Sequence, residues 1–166
     1  MTMALISSFL TCKSYMQLIL FIGIQAAGKS TFYQQYFYHT HLRINLDMLK
    51  TRHRENIIFE ACLASKTKCV VDNTNVSIED RARYIQRAQQ AGFQILAYYF
   101  ETGLSHALER NAQRQGKARI PDQGVHATHR RLQIPQLSEG FDEIYKVKIS
   151  TQGQFSIQLI ADQSQV

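Results

Sequence analysis

Short apolar runs alternate with amphipathic stretches along most of the chain. Leu18-Ile19-Leu20-Phe21-Ile22 is an unbroken apolar run ending at Gly23, the pattern of a central strand covered on both faces. A helix is predicted from Lys29 to Tyr38 and a short strand from Leu42 to Asn45. A longer helix is predicted from Met48 to Ser65, with Ile57, Ile58, Ala61, Cys62 and Leu63 turned inward. Cys69, Val70 and Val71 are the apolar part of a strand from Lys68 to Asp72. Ser77, Glu79 and Asp80 give a capping-box-like start, and Gly92 a stop, for a helix of about fourteen residues. A strand from Phe93 to Phe100, a helix from Leu104 to Gln113, a polar loop from Gln115 to Asp122 and a helix from Val125 to Leu132 follow. Glu143 to Ile149 and Gln154 to Ile160 flank Gly153 as a hairpin.

Strands alternating with helices of this length imply βαβ crossovers. The expected class is therefore α/β, a three-layer frame with a mostly parallel sheet and a C-terminal hairpin. No repeat or low-complexity linker divides the sequence, so residues 16–166 are expected to form one domain. Residues 1–15 read differently: Met3 to Leu10 is apolar, but no cation precedes it and Lys13 follows it, unlike a secretory signal. They are expected to be a dispensable extension, with the working chain beginning near Met16.

Composition narrows the class further. Of 166 residues 45% are hydrophobic, which excludes intrinsic disorder as the main state. Lys plus Arg number 19 against 13 Asp plus Glu, a formal charge of +6. Cys12, Cys62 and Cys69 are odd in number and have no paired spacing, which points to a reducing, cytoplasmic setting. The longest apolar run is far short of the ~20 residues that cross a bilayer, so no membrane role is expected. None of the six histidines pairs with cysteine at zinc spacing.

Gly23-Ile-Gln-Ala26-Ala27-Gly28-Lys29-Ser30-Thr31 fits G-x-x-x-x-G-K-[ST] at every position, and it lies where the chemistry needs it, between an apolar strand and a helix. The glycines permit a tight turn and close approach of an anion, while successive N–H groups, those of Ala26 and Ala27 among them, face phosphates together with the helix N-terminus. Lys29 can reach the outer phosphates, and the Ser30 hydroxyl is placed for Mg²⁺. This signature indicates binding of a nucleoside triphosphate such as ATP, without separating a kinase from a switch or a motor.

In doubly wound sheets ligands gather at the carboxyl ends of the strands, where two acids fall. Asp72 closes its strand and is a second candidate for the metal or its water shell, with Asn73 and Thr74 beside it. Asp47 follows the strand ending at Asn45. It is either the N-cap of the next helix or a carboxylate that takes the proton of an attacking hydroxyl, and these roles are compatible. Between Ser105 and Arg131 six cations, Arg110, Arg114, Lys117, Arg119, Arg130 and Arg131, outnumber the acids Glu109 and Asp122. They suit a solvated helix face, a lid over a transferring phosphate, or a surface for a polyanion.

Val70-Val71-Asp72-Asn73-Thr74-Asn75, Arg81-Ala82-Arg83-Tyr84, Arg110-Asn111-Ala112-Gln113-Arg114, Ile120-Pro121 and Leu137-Ser138-Glu139-Gly140-Phe141 follow in an order and spacing that resembles the kinase domain of polynucleotide 5′-hydroxyl kinases. The likeness is greatest to the kinase half of the eukaryotic kinase/phosphatase repair enzymes, from about Leu18 to Val147. The resemblance implies a phosphate-loop kinase that uses ATP and Mg²⁺ to phosphorylate the 5′ end of DNA or RNA. It implies catalytic roles for Lys29, Asp47 as general base and Arg114 as lid arginine, and a metal-side role for Ser30. Arg81, with Asn73 and Thr74, is implied near the acceptor. Two departures stand out: Leu46 sits where the family often has arginine before the aspartate, and no phosphatase domain is seen in this sequence. Related kinases of nucleosides, sugars or antibiotics share most of this frame, so a small-molecule alcohol is the alternative acceptor. A non-catalytic nucleotide-binding module is the alternative from another class; Asp47 speaks against it, because a switch needs no acceptor base.

Overall fold

The computed structural model describes residues 16–162, so the extension expected over residues 1–15 and the position of Cys12 lie outside the described residues. Six strands form one sheet: β1 (Gln17–Ile22), β2 (Leu42–Ile44), β3 (Cys69–Val71), β4 (Gln94–Phe100), β5 (Glu143–Ile149) and β6 (Phe155–Asp162). Their spatial order is β2-β3-β1-β4-β5-β6. The first five run parallel, and β6 turns back on β5 as the expected hairpin. The helices are α1 (Lys29–Tyr36), α2 (Leu46–Leu49), α3 (Arg52–Ser65), α4 (Ile78–Gln90), α5 (Leu104–Ala112) and α6 (Asp122–Arg131).

Alternate residues of β1 explain why its apolar run is unbroken. Leu18, Leu20 and Ile22 pack against Phe59, Cys62 and Leu63 of α3 and Tyr84, Ile85 and Ala88 of α4. Ile19 and Phe21 face the other way, into Phe32 and Tyr33 of α1, Ala107 of α5 and Val125 of α6. Each face of the sheet thus carries its own core, which is the three-layer arrangement expected of the α/β class. No described helix is long and apolar enough to cross a membrane.

The helix predicted from Met48 to Ser65 is two helices. Lys50 adopts φ 70° at the end of α2, and the Thr51 side chain then accepts from the Arg54 N–H to cap α3. The inward face also differs: Glu55, Phe59, Cys62 and Leu63 are buried, whereas Ile57 is exposed and Ala61 faces solvent. Positions 55, 59, 62 and 63 share one face of the helix, and Ile57 and Ala61 fall off it despite being apolar. α1 ends two residues before Tyr38, with Thr40 and His41 N–H groups both donating to the Phe37 carbonyl. α6 starts three residues earlier than expected, directly after Pro121, whose ring suits a helix entry.

His41, beside β2, is buried against the Phe37 ring with its Nδ1 hydrogen-bonded to Thr40 Oγ1, while Nε2 has no partner. Burial, with a smaller push from Lys68, brings its pKa down to about 4. The folded protein therefore refuses a proton that the unfolded chain accepts below about 6.5, so stability is lost as pH falls from about 6.5 towards 4. His41→Gln should flatten this part of the stability–pH curve by on the order of 2 kcal/mol, measured by urea unfolding at pH 7 and pH 4.5. An unchanged difference between the two pH values would remove His41 as the cause.

Candidate functional site

The register of three neighbouring strands sets the site. Leu20 lies opposite Val71, and Val71 opposite Ile44, so Gly23, Asp72 and Asn45 leave the sheet side by side at its carboxyl edge. The loops are tied there: the Gly23 N–H donates to Thr74 O at 2.9 Å, Asp72 N–H to Ile44 O at 2.9 Å, and Asn45 Nδ2 to Asp72 O at 2.5 Å.

Residues 23–28 wrap tightly between β1 and α1. A Cβ on Gly23 would stand 2.9 Å from the Phe100 Cβ, so only glycine lets β4 pass this close. Ala26 (φ 58°) and Gly28 (φ 91°) turn the backbone into the left-handed region, a conformation that gathers N–H groups into an anion-binding concavity. No side chain caps the N-terminus of α1, which leaves its first N–H groups and positive dipole end for a ligand. Ala26 and Ala27 are buried in the loop, and Ser30 and Thr31 are exposed on the first turn of α1.

Lys29 is buried, with Nζ donating to the carbonyls of Gly23 at 2.8 Å and Ile24 at 2.6 Å. Burial pulls its pKa down to about 8; Asp72 opposes that pull, Arg114 adds to it, and Asp47 opposes it. Lys29 is therefore still mainly an ammonium at pH 7. Asp72 directly follows β3, Asp47 lies on α2, and Arg114 lies on the loop after α5.

The Ser30 hydroxyl donates to Asp72 Oδ2 at 3.2 Å, and Asp72 is 2% exposed. The pair is a hard oxygen donor set of the kind Mg²⁺ takes, and a cation already lies on it. Arg43, on β2, donates from Nη2 to Ser30 Oγ at 2.8 Å and to Asp72 Oδ2 at 2.6 Å, and from Nε to the same Oδ2 at 2.9 Å. Sequence reasoning missed Arg43, since a charge in a three-residue edge strand carries no motif.

Asp47 stands exposed in the first turn of α2 and is not its cap. That task belongs to Asn45, whose side chain accepts from Met48 N at 3.1 Å. The turn is held from below by Asn73, whose Oδ1 accepts from Leu46 N at 2.9 Å while its Nδ2 donates to Glu55 Oε1 at 2.5 Å. Glu55 is 3% exposed and also accepts from Arg52. Asn73 thus positions the turn bearing Asp47, and Thr74 the phosphate loop. Glu55 had no signal in the sequence beyond an acid inside an apolar stripe.

Arg81 is not brought to this cluster. Its guanidinium is fully buried, donating to both oxygens of Glu139 at 2.6 and 2.8 Å and to the carbonyls of Asn75, Val76 and Gln133. All three of its nitrogens are engaged inside the protein and none of it is exposed, so it cannot meet an acceptor. It clamps the turn Leu137–Glu139 onto α4 instead.

Arg114 lies on the exposed loop between α5 and α6, its Nη1 3.5 Å from Ala118 O. Lys117 and Arg119 are exposed on the same loop. The loop is pinned at its base by Asn111, which is fully buried and exchanges hydrogen bonds with Ile120, Nδ2 to O at 2.6 Å and N–H to Oδ1 at 3.1 Å. The loop thus has a fixed base under an exposed cationic tip.

A bifunctional polynucleotide phosphatase/kinase of Schizosaccharomyces pombe is 26% identical over 139 residues, which cover 81% of this chain and 34% of that protein. The chain therefore spans about a third of the length of this curated relative. Among solved structures, Kti12 of Chaetomium thermophilum in complex with ADP-AlF3 superposes with a TM-score of 0.61 at 16% identity, over 79% of this chain and 88% of that one. A gluconokinase of Sinorhizobium meliloti 1021 gives 0.57 at 17% identity, over 82% and 85%. Each shares the fold. The AAA domain family matches residues 18–135, a span running from β1 past α6 that takes in the phosphate loop, Asp47, Asp72 and the loop bearing Arg114. By that match the chain belongs to the AAA domain family, as a phosphate-loop domain of the kinase-like kind.

Proposed function

We propose that the protein is an ATP- and Mg²⁺-dependent phosphotransferase, with the 5′-hydroxyl end of DNA or RNA as acceptor and residues 16–166 as its single working domain. The observation that carries the reading is a phosphate loop whose buried Lys29 is held on the Gly23 and Ile24 carbonyls, with the buried Asp72 on Ser30 and the exposed carboxylate of Asp47 just past the next strand end. A nucleotide switch has use for the lysine but not for an exposed base beside it. The acceptor class rests on the polynucleotide phosphatase/kinase of S. pombe.

In this mechanism the loop N–H groups and the N-terminus of α1 hold the β- and γ-phosphates. Mg²⁺ on Ser30 and Asp72 would neutralise charge on the phosphate oxygens. Asp47 takes the proton of the 5′-hydroxyl as its oxygen bonds to the γ-phosphorus and the bond to the bridging oxygen of ADP breaks. Lys29 and Arg114 offset the charge that develops on the transferring group and leaving oxygen. Lid closure over Asn111 excludes water, which would otherwise compete as acceptor.

The test is incubation with γ-labelled ATP and a panel of 5′-hydroxyl oligonucleotides, nucleosides and sugars. Label should move to the oligonucleotide, with a KM for that acceptor that rises steeply with salt as counterion release requires. Transfer to a nucleoside or sugar with a salt-insensitive KM would replace the polynucleotide acceptor by a small alcohol. Nucleotide binding without transfer to any acceptor would overturn the enzyme reading.

A further inference from the structure

Arg43 has no part in the mechanism above, yet it holds both candidate metal donors. Its guanidinium spans Ser30 Oγ and Asp72 Oδ2 through three hydrogen bonds of 2.6 to 2.9 Å. The side chain is 22% exposed and that of Asp72 2%, so the carboxylate is shielded while the arginine has an open side. Its plane is steadied by the Tyr33 ring, 5.4 Å from centroid to Cζ, and Nη1 lies 3.5 Å from Met48 Sδ. A carboxylate taken out of water demands a positive charge beside it, and here the chain supplies its own.

A divalent ion bound through Ser30 Oγ and Asp72 Oδ2 would compete with Arg43 for the two oxygens it holds, and it would repel the guanidinium. The two cations exclude one another. We propose that Arg43 is the resident cation of the metal pocket: it holds Ser30 and Asp72 together in the nucleotide-free protein and yields its place only to a metal ion that arrives with the triphosphate. Free metal must expel the guanidinium with nothing to receive it. Metal with nucleotide brings phosphate oxygens that offer the displaced guanidinium a new partner. The consequence is ordered entry, in which the metal binds tightly only with nucleotide. This inference rests on Ser30 and Asp72 being the metal donors of the proposed function.

The test uses Mn²⁺ as the probe, its free concentration read by electron paramagnetic resonance, with and without a non-hydrolysable ATP analogue. Wild-type protein should bind Mn²⁺ weakly alone and tightly with the analogue. Arg43→Gln should bind Mn²⁺ alone at least about tenfold more tightly than wild type, as when a competing state that fills the site nine-tenths of the time is removed. Mn²⁺ should also raise the melting temperature of Arg43→Gln and leave that of the wild type nearly unchanged. Arg114→Gln removes equal charge nearby without touching either oxygen, and should shift Mn²⁺ affinity less than about threefold.

Equal Mn²⁺ affinity in wild type and Arg43→Gln, or equal shifts in Arg43→Gln and Arg114→Gln, would overturn the proposal. So would wild-type protein that takes Mn²⁺ as tightly without the analogue as with it, a result that does not depend on the variants folding. Failure of every protein to bind Mn²⁺ even with the analogue would instead refute Ser30 and Asp72 as the metal site, and this inference with them.

Discussion

Lys29→Ala should lower kcat by about 10²- to 10³-fold, the scale on which a fixed charge aimed at a developing anion acts. The structure gives three reasons. Nζ starts from two loop carbonyls, Gly23 O and Ile24 O, so the ammonium is already positioned and spends little rotamer entropy on reaching phosphate. Its surroundings are buried, which strengthens its field at the transferring group. Lys29 is also the one cation of the cluster fixed inside the loop itself, whereas Arg114 rides on an exposed lid. Truncation also leaves two carbonyls without their donor and opens space beneath the loop. Lys29→Met, which keeps the apolar stem, separates that packing loss from the loss of charge. Transfer of label from ATP, with thermal melting as the folding control, should show both variants nearly inactive and Lys29→Met the more stable. Wild-type turnover in Lys29→Met would sink the phosphate-loop assignment.

Much of this site could be read from the sequence because its parts are local. The loop of residues 23–31 is contiguous, its glycines answer to nearby backbone geometry, and the strands before Gly23 and Asp72 are marked by apolar runs too short for helices. What escaped is what the fold brings from afar. Arg43 meets Ser30 across 13 positions and Asp72 across 29, and Glu55 meets Asn73 across 18. No periodicity records such pairs. Arg81 shows the opposite error: its motif was visible, but its role depends on Glu139, 58 positions away. A buried guanidinium with every nitrogen engaged organises a fold, and an identical residue in solvent binds phosphate; burial decides, and burial of a single charge is invisible in a sequence. The same holds at Asp47, where competition for the cap was settled by Asn45 two residues earlier.

That settlement sharpens the second large effect. Asp47→Asn should reduce kcat by roughly 10²- to 10⁴-fold, the range assigned to a positioned general base, while ATP Kd stays within about threefold of wild type. Size is kept and only basicity is lost. Since Asn45 and not Asp47 accepts from Met48 N, the substitution removes no cap. It forfeits only the attraction between an acid in the first turn and the helix dipole, about 0.3–1 kcal/mol. The turn itself remains held by Asn73 and Glu55. A cap residue and a base would therefore fail in different ways: loss of a cap lowers the melting temperature and leaves chemistry intact, whereas loss of a base stops chemistry in a protein that melts normally. The measurement is kcat, ATP Kd and melting temperature on one preparation of Asp47→Asn, with the oligonucleotide acceptor saturating. A kcat near wild type would refute the base. A kcat loss matched by an equal loss of ATP affinity would place Asp47 on the donor side, as a charge balancing Lys29, and leave the acceptor proton to another group.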